Sequence, residues 1–240
     1  MLHCFTPDQL RRIRKRHRGY GYLLTVITLV LLMLPLATDW PLLTSLGSVA
    51  LAVVMMVFLT RYSPLQKSKR WLYGLGVSAI VFEVVWLITL AESPSLAKHL
   101  TLPHLLIWGL FIGYFLLRKV RTLIIEPYVT LQVLMGAASG YLLIGYAGGF
   151  LLHTLLIWQP DAFELTYLPA GLNPVSNPLR VFPAMVSASF EALTTVSNTV
   201  ASPGHLLSHY GVLVITIIGQ LYVAVLIALV LGRFHRQPQL

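Results

Sequence analysis

Long apolar runs separated by short polar connections make up most of the chain. Six runs approach or exceed the roughly 20 apolar residues that a helix needs to cross a bilayer. A seventh run, residues 184–196, is too short to cross and predicts a re-entrant helix enclosed by protein. The pattern therefore predicts an all-α membrane protein with six transmembrane helices and a re-entrant pore helix between the fifth and the sixth. The six predicted spans are residues 20–38, 42–60, 71–91, 100–117, 128–158 and 210–232.

Composition supports a membrane protein. The 240 residues are 57% hydrophobic and 10% charged, whereas a soluble domain has about 25% charged residues. All lysines and arginines except Lys98 and Arg180 fall before the first span or in connections on the same side of the membrane. The positive-inside rule then places both termini in the cytoplasm. We predict a multi-pass protein of a bacterial inner (plasma) membrane or of an internal photosynthetic membrane, with the lipid bilayer as its surroundings.

The net charge of +9 does not indicate a nucleic-acid partner, because the basic residues cluster between apolar spans. The single cysteine, Cys4, excludes an internal disulfide and a cysteine metal site. The sequence has no nucleophile–base pair, phosphate loop or metal-ligand cluster. We therefore expect no enzyme, no metal and no cofactor other than a bound monovalent cation.

The N-terminal segment, residues 1–19, is basic and precedes the first span. Thr6 followed by Pro7 predicts the start of a helix, and its basic face is suited to anionic lipid headgroups. The run 20–38 is longer than a signal-peptide core of about 7–15 residues. No small-residue cleavage site follows the run, so we interpret it as a retained first helix.

Residues 20–121 predict a four-helix transmembrane domain that lacks voltage-sensor arginines. A voltage sensor needs arginines within the fourth span, but Arg118, Lys119 and Arg121 follow that span and are interpreted as an anchor on the cytoplasmic side. Glu83 lies in the middle of the third span, where a charge is costly. It has either a hydrogen-bonded packing role or a function as a sensor remnant or a proton site.

Two histidines lie inside apolar runs. His153 could ligate a pigment or a metal, but a lone histidine is more often a hydrogen-bonded packing residue, and the same interpretation applies to His104.

Three motifs in the last third of the chain carry a resemblance. Residues 189–196 read SFEALTTV, residues 219–228 read GQLYVAVLIA and residues 141–145 read YLLIG. In this order and spacing they resemble the pore module of bacterial six-transmembrane potassium channels. The resemblance implies a P-loop ion-channel fold and a homotetramer. It also implies a pore-like domain at residues 122–234, with outer helix, re-entrant helix, filter-like loop and inner helix, followed by a tail at 235–240.

The filter-like loop departs from this family. Potassium filters coordinate the ion through backbone carbonyls, and glycine is needed where the backbone is left-handed. In this chain Ser197 and Thr199 occupy the glycine positions, Asn198 the tyrosine position and Val200 the aspartate position. Because each strained residue costs about 1–3 kcal/mol, we expect a different loop shape. The loop comprises Thr194, Thr195, Val196, Ser197, Asn198, Thr199 and Val200.

Two further residues gain a role from the resemblance. Glu191 matches a pore-helix glutamate that bonds the filter aspartate in some potassium channels, and Val200 removes that partner. Glu191 is then either a cation site linked to the loop or a hydrogen-bonded carboxyl behind it. Gly219 is either a gating hinge of the inner helix or a point of close packing.

An altered filter leaves three functions open: a weakly selective pore, a closed pore in a structural or regulatory subunit, or a chain that joins others with intact filters. The leading expectation is a potassium-channel-like monovalent cation channel with weak or lost potassium selectivity. The alternative is a non-conducting subunit of a larger membrane complex.

Overall fold

The described part of the protein is helical. A computed structural model describes residues 7–61, 69–126, 130–164, 177–196, 201–202 and 205–234. Within these residues the only β pairing is an isolated bridge between Phe163 and Ala201. Short 3-10 helices follow α1 and α5, at Pro35–Thr38 and Pro160–Ala162. The seven α-helices are α1 (Pro7–Met33), α2 (Leu42–Arg61), α3 (Lys69–Glu92), α4 (Pro94–Ile125), α5 (Leu131–Trp158), α6 (Pro178–Thr194) and α7 (Leu206–Phe234).

In the part of the chain that the structure describes, five helices are long and apolar enough to cross a membrane, which supports a multi-pass membrane protein. The apolar part of α1, His17–Met33, is shorter. Helix α1 ends at Met33 and a 3-10 helix follows from Pro35, because proline lacks the amide hydrogen that a continuing α-helix needs. Six spans therefore remain a prediction. The five candidate spans are Leu42–Arg61, Arg70–Glu92, His99–Ile125, Leu131–Trp158 and Leu206–Leu229.

The helix starts and ends test the sequence predictions. Helix α1 begins at Pro7, as predicted, and α2 matches its predicted run to one residue. Helix α4 continues to Ile125, beyond the predicted span 100–117. The five prolines of residues 159–183 predict an external loop, and this is wrong for its last part, because α6 begins at Pro178. Proline is favourable at the first position of a helix, and burial of the neighbouring Phe182 offsets the backbone bond lost at Pro183.

Helix α5 is the centre of the fold. It packs against α1, α4, α6 and α7, while α3 packs against α2 and α4. Aromatic rings fill the junction between α4, α5 and α6. Trp108 stacks on Phe150 at 5.6 Å between ring centroids, and Phe182 meets Tyr146 edge-on at 5.6 Å.

Two charged residues near the end of α4 are buried. Lys119 is fully buried, and its Nζ donates to Ser139 Oγ at 2.6 Å. Glu126 accepts a hydrogen bond from the Tyr20 hydroxyl at 3.0 Å. Helix α4 continues past Lys119 and places its side chain against α5, so it is not exposed, and the cytoplasmic side of this end stays a prediction.

Candidate functional site

Helix α6 lies antiparallel to α5 and reaches far along it. Near the start of α6, the Phe182 ring lies 4.6 Å from Phe150 and 5.8 Å from His153. Near its end, the Leu193 carbonyl accepts from the Tyr141 hydroxyl at 3.5 Å. Tyr141 is seventeen residues from the end of α5, which corresponds to about 26 Å along that helix.

The chain then returns to the end of α5 from which α6 started. The Ser202 amide donates to the Ala162 carbonyl at 3.1 Å, and Ala201 pairs with Phe163. Both partners follow directly after α5. The described residues between α5 and α7 therefore run along α5 as a helix, and Ala201 and Ser202 lie again at the end of α5 from which that helix starts.

Close contact between α5 and α6 depends on glycine. A Cβ atom at Gly149 would lie 2.9 Å from the Val186 Cα, which is backbone and cannot rotate away. Small residues allow helices to approach closely where no aqueous solvent drives them together. Gly149 thus sets the distance between α5 and α6.

Helix α7 contacts the C-terminal end of α6. The Thr216 hydroxyl donates to the Ala192 carbonyl at 2.9 Å, and the Leu193 side chain packs directly on Gly219, leaving no room for a Cβ atom. Beyond α6, the Tyr222 hydroxyl donates to the Ala137 carbonyl at 2.7 Å and joins α7 to α5. The contact between Leu193 and Gly219 supports close packing as the role of Gly219. The role of Gly219 as a hinge stays a prediction.

The end of α6 has an unusual backbone. The Val196 amide donates to the Glu191 carbonyl at 3.1 Å and the Thr195 amide to the Ala192 carbonyl at 3.2 Å. This is a Schellman motif, whose left-handed position normally holds glycine. Here it holds Thr195 with φ of 57°, a strained conformation for a β-branched residue.

The predicted site residues are brought together only in part. Thr194, Thr195 and Val196 are exposed at the end of α6, and Glu191 is half-buried one turn earlier. The other four predicted loop residues, Ser197, Asn198, Thr199 and Val200, lie outside the described residues, so their predicted conformation stays a prediction.

A groove of about 590 Å³ opens beside the end of α6. Its walls combine the last turn of α6 with one face of α7. That face continues as exposed apolar side chains along α7, at Leu213, Ile217, Leu221 and Val225. The groove is lined by Ala192, Thr195, Leu206, His209, Tyr210, Val212, Leu213 and Thr216.

A cluster of buried polar side chains lies between α3 and α4. Glu83 Oε2 lies 2.6 Å from His104 Nε2 and accepts from Trp108 Nε1 at 2.8 Å. The hydrogen bonds predicted for Glu83 and His104 are present, and the choice between a packing role and a function for Glu83 stays a prediction. His153 is buried, and neither of its ring nitrogens has a hydrogen-bond partner among the described residues. Those residues contain no group of three or more histidine, cysteine, aspartate or glutamate side chains arranged for a metal.

Comparisons of the chain with protein-family models, with curated proteins and with solved structures found no match. The resemblance to potassium channels therefore rests on the three sequence motifs.

Proposed function

We propose that the protein is a potassium-channel-like cation channel subunit whose filter has lost potassium selectivity. In this proposal α1 also crosses the membrane, which brings the number of spans to six. Helix α6 is the re-entrant pore helix, and four copies of the chain surround a pore. The loop after α6 passes monovalent cations through a wider, hydrated opening.

The path of α6 is the observation that carries this proposal. Helix α6 has 17 residues and includes Arg180 and Glu191, so it does not supply the roughly 20 consecutive apolar residues of a span, yet it packs along α5 and α7, which do. Irregular backbone at membrane depth is tolerated where it lines a water-filled cavity. Helix α6 runs along α5 away from the end at which it starts, and Ala201 and Ser202 lie again at that end. In the proposal, the chain between Val196 and Ala201 lines the pore.

Electrostatics favour a cation at the end of α6. A helix carries a partial negative charge at its C-terminus, and α6 presents that end at its deepest point, next to Thr194 and Thr195. Hydroxyl and carbonyl oxygens there can replace part of the hydration shell of a monovalent cation.

The exposed face of α7 supports assembly with further copies. The groove beside the end of α6 and the apolar residues of α7 form one continuous surface. A face of this kind is covered either by lipid or by protein, and the proposed tetramer places a neighbouring copy of the chain on it.

The second candidate is a non-conducting subunit of a larger membrane complex. The replacements at residues 197–200 favour it, because they remove both glycines of the filter and its aspartate. The backbone of Thr195 also favours the second candidate. Its left-handed conformation, with φ of 57°, is strained in threonine, whereas a potassium filter uses glycine at left-handed positions.

Ion flux through the protein in lipid vesicles tests the proposal. Potassium, sodium and a large organic cation are compared for the natural protein and for the variant Ser197→Gly/Asn198→Tyr/Thr199→Gly/Val200→Asp, with empty vesicles as the control. We expect the natural protein to pass both metal ions at similar rates and the variant to prefer potassium. No flux above that of empty vesicles from either protein would overturn the channel and favour the subunit.

A further inference from the structure

A small cavity lies where α2, α3, α4, α5 and α6 meet. Its volume is about 20 Å³, which is room for about one water molecule. The polar side chains on its wall come from four helices. They are Thr44, Ser48, Glu83, His104 and His153.

Several polar atoms at this cavity lack partners among the described residues. These atoms are both ring nitrogens of His153, Nδ1 of His104 and Oγ1 of Thr44. His153 is 2% exposed, and both of its ring nitrogens are buried. A buried polar atom without a hydrogen bond costs about 1–3 kcal/mol, and a water molecule is retained inside a protein where it meets two to four such atoms.

The charge at Glu83 is the second observation. Glu83 is buried, and in the described part of the chain neither a lysine nor an arginine pairs with it. An isolated carboxylate is costly at this depth. A proton shared with His104 across the 2.6 Å contact removes the net charge, whether it resides on the carboxyl or on the imidazole.

The position of His104 is fixed. Its ring stacks on Trp86 at 4.5 Å with the planes 7° apart, and its Nε2 lies against Glu83. His104 lines the cavity, and its remaining nitrogen, Nδ1, is buried without a partner among the described residues. A proton gained by the Glu83–His104 pair therefore makes Nδ1 a donor that needs an acceptor, and water in the cavity supplies one.

We propose that the cavity is a buried proton-binding site in which one water molecule links His153 to the Glu83–His104 pair. These groups together hold a single exchangeable proton. Tyr146, which shares a 2.7 Å hydrogen bond with Ser48, is the other titratable group beside the site. Among the described residues, α2 and α6 contribute none.

The site connects two parts of the protein. Glu83 and His104 belong to α3 and α4, while His153 packs on Phe182 of α6 at 5.8 Å. A change in protonation thereby alters the surroundings of the first turns of α6. The site does not depend on ion conduction and is expected equally in a conducting and in a non-conducting protein.

Nitrogen NMR of ¹⁵N-histidine-labelled protein in phosphatidylethanolamine–phosphatidylglycerol vesicles tests the site. The spectrum distinguishes protonated, neutral and hydrogen-bonded ring nitrogens. We expect His104 and His153 to change with pH at one common midpoint, and the ring nitrogens of His153 to show magnetisation transfer from water. Rings that stay unchanged with pH, or a His153 without water contact, would overturn the proposal.

Variants assign the shared proton. Glu83→Gln should abolish the common titration, whereas His99→Gln, a change at an exposed histidine of α4, should leave it unchanged. A common midpoint that persists in Glu83→Gln would contradict the role of the carboxyl. The natural protein alone decides the case if Glu83→Gln does not fold, and none of these signals depends on ion flux.

Discussion

The contact between α3 and α4 and the contact between α5 and α6 are held together by opposite chemistry. Between α3 and α4, long polar and aromatic side chains meet: Glu83 bonds His104 and Trp108. Between α5 and α6 the helices approach so closely that Gly149 has no room for a Cβ atom beside the Val186 backbone. The first contact depends on hydrogen bonds, and the second depends, at Gly149, on the absence of a side chain.

The difference shows how an apolar chain obtains a unique packing. Lipid is as apolar as the helix surfaces, so burial of leucine against leucine does not select one arrangement. The hydrogen bonds of the first contact depend on direction and distance, and the close van der Waals packing of the second depends steeply on distance. Each contact is expected to fail for its own reason when changed.

The largest effect is expected from the polar contact. Glu83→Leu leaves His104 Nε2 and Trp108 Nε1 buried without their hydrogen-bond partner, and we expect a loss of about 3 kcal/mol in the free energy of unfolding. Glu83→Gln should cost less, because its amide oxygen still accepts one bond. Thermal unfolding in detergent measures both. The matched change Glu92→Leu, at an exposed position of α3, should have little effect, and equal stability of the two leucine variants would contradict the prediction.

The glycine contact should give a smaller loss. In Gly149→Ala the new Cβ lies 2.9 Å from the Val186 Cα and forces the helices apart, at about 2 kcal/mol. Gly113→Ala in α4 is the control, because no atom lies within 4 Å of its added Cβ and alanine favours the helix. Unfolding in the same detergent should show opposite signs for the two variants, and a stabilising Gly149→Ala would disprove the close approach.

The smallest effect concerns α7. Tyr222→Phe removes the hydrogen bond to the Ala137 carbonyl while the ring continues to pack, and we expect a loss of about 0.6 kcal/mol. Tyr22→Phe, at an exposed tyrosine of α1, serves as the reference in the same unfolding assay. If both variants have the same free energy of unfolding, the Tyr222 hydrogen bond makes no net contribution to stability.

The helices were predictable from the sequence where apolar runs were long and uninterrupted. For α2, the apolar run 42–60 alone predicted the helix to within one residue. Hydropathy ended the fourth span at Leu117, before Arg118, because a charged residue was taken to mark the membrane boundary. The structure instead continues α4 and buries Lys119 against Ser139 of α5, a partner that hydropathy cannot indicate.

The pairing of Glu83 with His104 had a signal in the sequence that was missed. Ser93 is the single residue between α3 and α4. Glu83 lies ten residues before it and His104 eleven after it, so an antiparallel helix pair places them at the same depth. The path of α6 was less accessible, because its prolines predict a loop and only tertiary contacts with α5 and α7 show where the helix lies.

The left-handed backbone at Thr195 has a consequence for how this chain responds to selection. Threonine there carries a penalty of about 1–2 kcal/mol that glycine would not have. Stabilising substitutions are readily accepted when nothing opposes them. Laboratory evolution for heat resistance alone should therefore recover glycine at position 195, whereas selection for transport should retain the hydroxyl. The residue found there would report which of the two pressures shapes the end of α6.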